Sequence, residues 1–324
     1  MNNYGTPQIL FKLASALGTK VVDQRLDIPQ KYGSGHCIGY VFNQHIRLLI
    51  SDYELKMEFL LDNPEVDALK KMLFFKFQNV IPKIHVPEKE PRLTELPSVL
   101  IATSRINTDE VIAIHTNRAT INIEVDAEYL IGHFAFNKTT PVLQSLLENS
   151  RPLVFEQIIY PKVQGVIDEM LTESIDEPFK SFFLKVKSEE LVCRLLVELE
   201  KRDEKTVYAL NRQDIETIYK VRELIIGRLQ IPPVIKELSF IAGMSPTKLK
   251  RIFKQVFGNS IFKYYQYFRM KEASRLLTEE KISVTSVGHD LGFTNLSHFS
   301  KVFEEHTGMK PKQFSKSGGT RLVP

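Results

Sequence analysis

Short apolar runs broken by turn residues dominate the first part of the chain. Cys37–Phe42 and His45–Ile50 are rich in β-branched and aromatic residues and are separated by Asn43-Gln44, a pattern of neighbouring strands. Leu55–Leu61 follows and stops at Asp62-Asn63-Pro64. Phe74–Phe77, Ile112–Ile114 and Ile121–Val125 are further strand candidates. Several short strands set off by turn signals predict a small barrel or sandwich. Near residue 140 the period changes. Pro141–Leu147, Lys162–Leu171 and Phe179–Lys201 repeat apolar residues at three and four, which predicts helices. In the last of these, Leu184, Leu191, Leu195, Val197 and Leu199 make an apolar stripe, with Glu189, Glu190, Glu198 and Glu200 mostly outside it. Packing on the strand domain and dimerisation both account for such a stripe, and the two are compatible. Arg202–Thr206 breaks the period and predicts a linker near 202–212. A helix from Asp214 to Leu229 follows and is stopped by Pro232-Pro233.

The last hundred residues contain a duplication. Leu238-Ser239-Phe240-Ile241-Ala242-Gly243-Met244-Ser245 is followed by Leu249, Phe253 and Gly258. Val287-Gly288-His289-Asp290-Leu291-Gly292-Phe293-Thr294 is followed by Phe299, Phe303 and Gly308. The offset is 49 before the turn and 50 after it, as though one residue were inserted in the second turn. Each copy reads as helix, tight turn, helix. Gly243 and Gly292 stand where the backbone needs positive φ. Ser245 is placed to cap the next helix, with Pro246 at its first position, and Asn295 or Thr294 to do so in the second copy. Leu249, Ile252, Phe253 and Val256 share one face, as do Phe299, Val302 and Phe303. The opposite face of the first copy is Thr247, Lys248, Lys250, Arg251 and Lys254. An apolar back with a basic, hydrogen-bonding front suits the major groove of DNA. A continuous helix over 261–278 joins the copies; at 1.5 Å per residue it spans roughly 27 Å.

Charge sharpens this picture. The net charge of the 324-residue chain is only +4, yet Arg212–Lys316 holds 18 Lys and Arg against 10 Asp and Glu. A basic C-terminal part points to a polyanion partner. No apolar run reaches the roughly 20 residues of a membrane span, and the N-terminus lacks the pattern of a signal peptide. Cys37 and Cys193 are the only cysteines, which argues against a disulfide framework and for a reducing cytoplasm. Ser317–Pro324 reads as a linker followed by the start of a protease-cleavage tag.

The C-terminal residues resemble the AraC/XylS family of bacterial transcription regulators. The matching segments are Ser245-x3-Leu249-x-Arg251-x-Phe253-Lys254-x3-Gly258, Arg269-x3-Ala273-x2-Leu276-Leu277, and Gly292-Phe293-x5-Phe299-x3-Phe303-x4-Gly308-x2-Pro311-x2-Phe314. Ser239 and Gly288 depart from the family's usual Ala, and Ser315 from its frequent Arg. A glycine at 288 costs roughly 1 kcal/mol of helix propensity relative to Ala, which would loosen the second copy. The resemblance implies an α+β protein: a cupin-like β-barrel with a helical dimerisation segment, then an all-α domain with two helix-turn-helix units. The expected division is a β-rich effector-sensing domain over 1–140, a helical dimerisation segment over 141–203, a linker over 204–213 and a DNA-binding domain over 214–316. It also implies a homodimeric, sequence-specific DNA-binding regulator, typically an activator that contacts RNA polymerase, with a small-molecule effector at the N-terminal domain. Base-reading positions carried over from the family are Thr247, Lys250, Arg251, Leu296, Ser297, Ser300 and Lys301. Arg251 or Lys250 suits guanine O6/N7 and Leu296 a thymine methyl, while Lys248 and Lys254 are assigned to phosphate. Lys301 could also hold phosphate.

The first half offers little chemistry of its own. His36, His45, His85, His115 and His133 are isolated, with no His-x-His pair, so neither a metal nor another cofactor is expected. No Walker loop, nucleophile elbow or dinucleotide fingerprint is present. Arg47, Lys56 and Lys76 alternate with apolar residues and either line an anion pocket or face outward. The competing reading is a cupin-type metal enzyme with an accessory DNA-binding domain.

Overall fold

The computed structural model describes residues 5–57, 59–62, 71–81, 96–104, 111–114, 117–134 and 138–318. These residues divide into two compact units, the boundary falling between Arg212 and Gln213. Among the described residues no helix is long and apolar enough to cross a membrane.

The first unit begins with helix α1 (Gln8–Leu17). Strands β1 (Arg25–Asp27), β2 (Gly33–Val41), β3 (Ile46–Leu55), β4 (Phe59–Asp62), β5 (Met72–Gln78), β6 (Ser98–Thr103), β7 (Val111–Ile114) and β8 (Asn117–Asp126) follow. Helices α2 (Ala127–Ile131) and α3 (Pro141–Glu148), strand β9 (Val154–Ile158) and helices α4 (Pro161–Thr172) and α5 (Glu177–Glu200) complete it. Seven strands form one antiparallel sheet in the order β1-β2-β3-β8-β5-β6-β9, and β4 pairs separately with β7.

The expected cupin-like barrel is not what this sheet makes. It is open, with β1 and β9 at its two edges. β9 arises inside the segment expected to be helical and extends the sheet beyond β6. Closure needs the outermost strands to pair with each other. Among the described residues the three-residue β1 instead pairs with β2 and bridges to Val22, and apolar side chains of α1 (Leu10, Leu13 and Leu17) pack with Leu26, Cys37, Tyr53 and Leu55 beside it.

The alternation of side chains explains the layering. Leu48, Ile50, Phe75, Phe77, Val99, Ile101, Ile121 and Ile123 form one buried face, since successive strand residues point to opposite sides. That face packs against Leu146 and Leu147 of α3, Val163 and Ile167 of α4, and Leu184, Leu191, Leu195 and Leu199 of α5. The opposite face is mixed: Cys37, Tyr53 and Leu55 meet α1, and Leu49, Phe74 and Leu100 stand among polar residues. Register places Arg47 beside Glu124, and Asn122 of the same strand beside Lys76. Arg47 reaches Glu124 at 3.5 Å, while Lys56 lies beyond β3 and donates to the Gln30 carbonyl at 3.0 Å. The three cations therefore do not converge on one anion pocket.

Two of the histidines share one aromatic partner: His45 and His133 both pack on Tyr129, with ring centroids 5.1 and 4.6 Å from it. His45 Nδ1 lies 3.0 Å from Asp126, and His85 and His115 fall outside the described residues. Among the described residues no group of three or more His, Cys, Asp or Glu side chains is arranged to hold a metal.

Helix α5 is held by polar ties as well as by its apolar face. The Tyr129 hydroxyl donates to Glu189 at 2.7 Å, and that carboxylate pushes the phenol's pKa up to about 12. At the other end the Thr140 N–H and hydroxyl both donate to Glu200 at 2.9 Å. Of the stripe expected on this helix, Leu184, Leu191, Leu195 and Leu199 are core, but Val197 is 53% exposed. The reason is geometric: two residues beyond Leu195, at 3.6 residues per turn, the side chain emerges on the far side. Leu195→Ala is accordingly expected to destabilise the chain by roughly 2–5 kcal/mol, whereas Val197→Ala stays within about 0.5 kcal/mol. Urea titration followed by circular dichroism distinguishes them, and equal losses would contradict this orientation of α5.

The second unit is helical. It comprises α6 (Arg212–Ile226), α7 (Ile235–Ala242), α8 (Pro246–Phe257), α9 (Ile261–Thr278), α10 (Val284–Asp290), α11 (Leu296–Thr307) and α12 (Pro311–Lys316).

Candidate nucleic-acid interface

The duplication becomes two helix pairs, α7–α8 and α10–α11, flanking α9. Each first helix ends in the same hydrogen-bonded turn. The Met244 N–H reaches the Ser239 carbonyl and the Phe293 N–H reaches the Gly288 carbonyl, at the equivalent positions of the two copies. Gly243 and Gly292 adopt φ of +59° and +76°, the left-handed geometry of this helix stop. Three residues then separate α7 from α8 and five separate α10 from α11. Each second helix is capped. Ser245 Oγ accepts from the Lys248 N–H, and Asn295 Oδ1 from the N–H groups of Ser297 and His298. Such caps stabilise a helix by about 1 kcal/mol.

The inward faces are the expected ones: Leu249, Ile252, Phe253 and Val256 on α8, and Phe299, Val302 and Phe303 on α11, all buried. Helix α9 is the hub between the pairs. Its Arg269 is 5% exposed. The guanidinium donates from Nε to the Leu291 carbonyl at 2.8 Å, from a second nitrogen to the same oxygen, and to Gln266 Oε1. It also lies 3.6 Å from the centre of the Phe293 ring. Burial lowers its pKa from the usual arginine value, but the cation is retained by charge-assisted hydrogen bonds and the ring face. On the other side, the Tyr265 hydroxyl donates to Leu229 O at 2.9 Å and Arg222 to the Tyr264 hydroxyl at 2.9 Å, fixing α9 to α6 and the loop after it.

Thr247, Lys250, Arg251 and Lys254 share the outer side of α8. The first three are exposed and Lys254 is half-buried. Lys248 is drawn away from them: its ammonium sits 2.7 Å from Asp214 of α6. On α11, Ser297 and Lys301 are exposed while Leu296 and Ser300 are half-buried. Leu296 has an internal role. A Cβ built on Gly288 would stand 2.6 Å from Leu296 Cδ2 and 3.3 Å from Phe299 Cδ1. The missing methyl at 288 thus lets α11 approach α10, where the sequence suggested a loosened unit. Ser239, the equivalent position in the first copy, is buried with no hydrogen-bond partner for its hydroxyl among the described residues.

Sequence reasoning missed Asp214 as a partner of Lys248. It noted Arg269 only as part of a motif. Both act through residues more than 20 positions away, which no local pattern reveals.

The two turn glycines are not equivalent. A Cβ on Gly243 meets nothing within 4 Å, whereas one on Gly292 would stand 2.1 Å from the Gln230 carbonyl oxygen. Gly243→Ala should therefore lose only the roughly 1–2 kcal/mol of left-handed strain. Gly292→Ala must lose clearly more, because backbone has to move. Denaturant midpoints of the two variants test this, and equal losses would remove the special role of the Gln230 contact.

Comparison with known proteins accords with this geometry. Residues 238–317 match a family model described as a helix-turn-helix domain. The regulatory protein PchR of Pseudomonas aeruginosa is 42% identical over 71 residues, 22% of this chain and 24% of that protein. The HTH-type transcriptional regulator MtrA of Neisseria gonorrhoeae is 24% identical over 202 residues, 61% of this chain and 65% of its own. A solved structure described as a probable AraC family transcriptional regulator from Rhodopseudomonas palustris matches 32% of this chain and 99% of its own, at 24% identity and a TM-score of 0.30. The chain spans less than two thirds of the length of either of these two relatives. The C-terminal part of this chain is a helix-turn-helix domain of the AraC type.

Proposed function

We propose that the chain is a sequence-specific DNA-binding transcription regulator acting in the cytoplasm. In this reading the α7–α8 and α10–α11 pairs are two helix-turn-helix units, and α8 and α11 enter successive major grooves. The carrying observation is the pair of capped helices, each with a buried apolar back and a hydrogen-bonding front, held apart by a single buried rod. That rod, α9, is 18 residues long, or about 27 Å at 1.5 Å per residue. Major grooves on one side of B-DNA recur at about 34 Å, so the shortfall is taken up by bending the DNA at a cost of a few kcal/mol. Lys250 and Arg251 donate to guanine, Thr247, Ser297 and Ser300 contribute neutral hydrogen bonds, and Lys254 and Lys301 hold phosphate or a base edge. Leu296 contributes through α10–α11 packing and through any thymine methyl it reaches. The first unit dominates affinity, because Glu304 and Glu305 stand on α11 where α8 has Lys254 and Gln255. Activation through RNA polymerase, and control by a small molecule at the first unit of the chain, complete the reading. The relatives' names as regulators favour it over a metal enzyme.

Mobility-shift titration of promoter fragments at two salt concentrations tests the proposal. Sequence-selective binding is expected, and Arg251→Ala should weaken it by roughly 1–3 kcal/mol with relaxed selectivity. Binding indifferent to sequence would overturn the regulator reading.

The same reading includes a homodimer, and the outer face of α5 supports it. Phe179, Phe182, Val186, Cys193 and Val197 recur there at helical spacing, with Phe179 and Phe182 65% and 69% exposed. An exposed apolar stripe of this kind, interrupted by Glu190, suits an interaction surface. The first half of α5 carries Lys180, Lys185 and Lys187 against Glu177, and the second half carries Glu189, Glu190, Glu198 and Glu200 against Arg194. An antiparallel second copy brings opposite helix ends together. Phe182→Glu combined with Val186→Glu should convert the dimer to monomer in sedimentation while leaving the far-ultraviolet circular dichroism spectrum unchanged. A wild-type monomer, or a variant that stays dimeric, would exclude this face.

A further inference from the structure

Lys248 occupies the third position of α8, immediately after the capped turn. A cation there is opposed by the positive end of the helix dipole, so the position calls for a counter-charge. Asp214, in the first turn of α6, supplies it at 2.7 Å. The two side chains differ in freedom: that of Asp214 is 12% exposed and that of Lys248 41%. The carboxylate is thus the fixed end of the pair and the long ammonium arm the end able to leave. The second copy gives an internal comparison. Its equivalent of Lys248 is His298, which packs edge-on against Phe293 of its own turn. Among the described residues, the first copy's position carries an ion pair to the helix that opens the unit, and the second copy's equivalent packs on its own turn instead.

We infer that Asp214 is a positioning residue for nucleic-acid recognition, holding Lys248 as an internal ion pair so that α8 is seated against the first turn of α6. The inference rests on the DNA-binding reading and deepens it by dividing the basic residues of α8 into two groups. Lys250, Arg251 and Lys254 form the outward group. Lys248 is neutralised at home and is not counted among the phosphate contacts. Asp214 has a second effect: its negative charge stands beside the first turn of α8, where an approaching phosphate would be repelled. Removing it frees one ammonium and lifts that repulsion together. Because α6 begins where the second unit begins, the latch also makes the seating of α8 depend on how the chain enters this unit.

The test is the salt dependence of DNA binding by the full chain. Each phosphate neutralised steepens the logarithmic salt slope by about 0.9. Lys248→Ala should leave the wild-type slope unchanged. Asp214→Asn should steepen it by about 0.9, equivalent to about a three- to four-fold larger loss of affinity between 50 and 200 mM salt. Asp214→Glu should keep the wild-type slope, and Asp214→Asn with Lys248→Ala should return to it. A slope flattened by Lys248→Ala alone would overturn the inference, as would a folded Asp214→Asn chain with the wild-type slope. If Asp214→Asn does not fold, the Lys248→Ala slope decides by itself. A second readout needs no DNA. Peptide mass spectrometry after brief acetic anhydride treatment should find Lys248 acetylated several-fold faster in Asp214→Asn than in wild type, while Lys250 is unchanged. Equal rates would refute the latch even if the chain binds DNA. A wild-type chain that ignores DNA, with faster Lys248 labelling in the variant, would refute the DNA reading and leave the latch standing.

Discussion

The buried guanidinium of Arg269 is the contact on which the arrangement of the second unit turns. It joins the middle of α9 to the carbonyl of Leu291, the residue that caps the first helix of the second pair, and it underlies the Phe293 ring two residues later. A cation so buried is costly unless its donors are used and its charge is met. Here carbonyl dipoles and an aromatic face meet it. Leaving Leu291 O without that partner would strand a buried acceptor, which itself costs about 1–3 kcal/mol. The turn, the rod and the cation therefore stabilise one another, and α11 inherits its direction from all three.

From that anchor the inequality of the two pairs follows. The α10–α11 turn is crowded: Gly292 lies against the Gln230 backbone, and Gly288 gives its space to Leu296 and Phe299. The α7–α8 turn is open around Gly243. Crowding fixes the second pair by shape, with α11 offering mainly hydroxyl groups and Lys301. The first pair is fixed by charge through Asp214 and carries more cations outward. Duplication has kept the backbone device, a left-handed glycine followed by a capped helix, while the forces that seat each copy have diverged.

Much of this was legible in the sequence where the cause is local. The span of α9, the caps at Ser245 and Asn295, and the positive φ of Gly243 and Gly292 depend on residues within a few positions, and the sequence reading anticipated each. The strands β2, β3, β5 and β8 were also marked by their β-branched and aromatic runs. The misses are non-local. β6 and β9, of six and five residues, do not alternate apolar with polar positions and so signal no strand period. An open sheet and a closed barrel share one strand pattern and differ only in whether the edges pair. The Lys248–Asp214 pair was not legible because its partners are 34 residues apart. Val197 was grouped with the leucines of α5 in one apolar stripe because it is apolar, although its angle around the helix puts it on the other side.

That last error bears on how α5 should be understood. A helix packed once needs a single apolar stripe. α5 has two, on opposite sides, one filled by the sheet and its helices and the other carrying Phe179, Phe182 and Val186 into solvent. Helix propensity does not favour phenylalanine on an exposed face, and the core already stabilises this helix through Leu184, Leu191, Leu195 and Leu199. The outer stripe adds nothing to the fold of the single chain. In the proposed dimer a second copy removes this stripe from water, and on that reading the oligomeric state depends on the same helix that the core uses to hold its sheet.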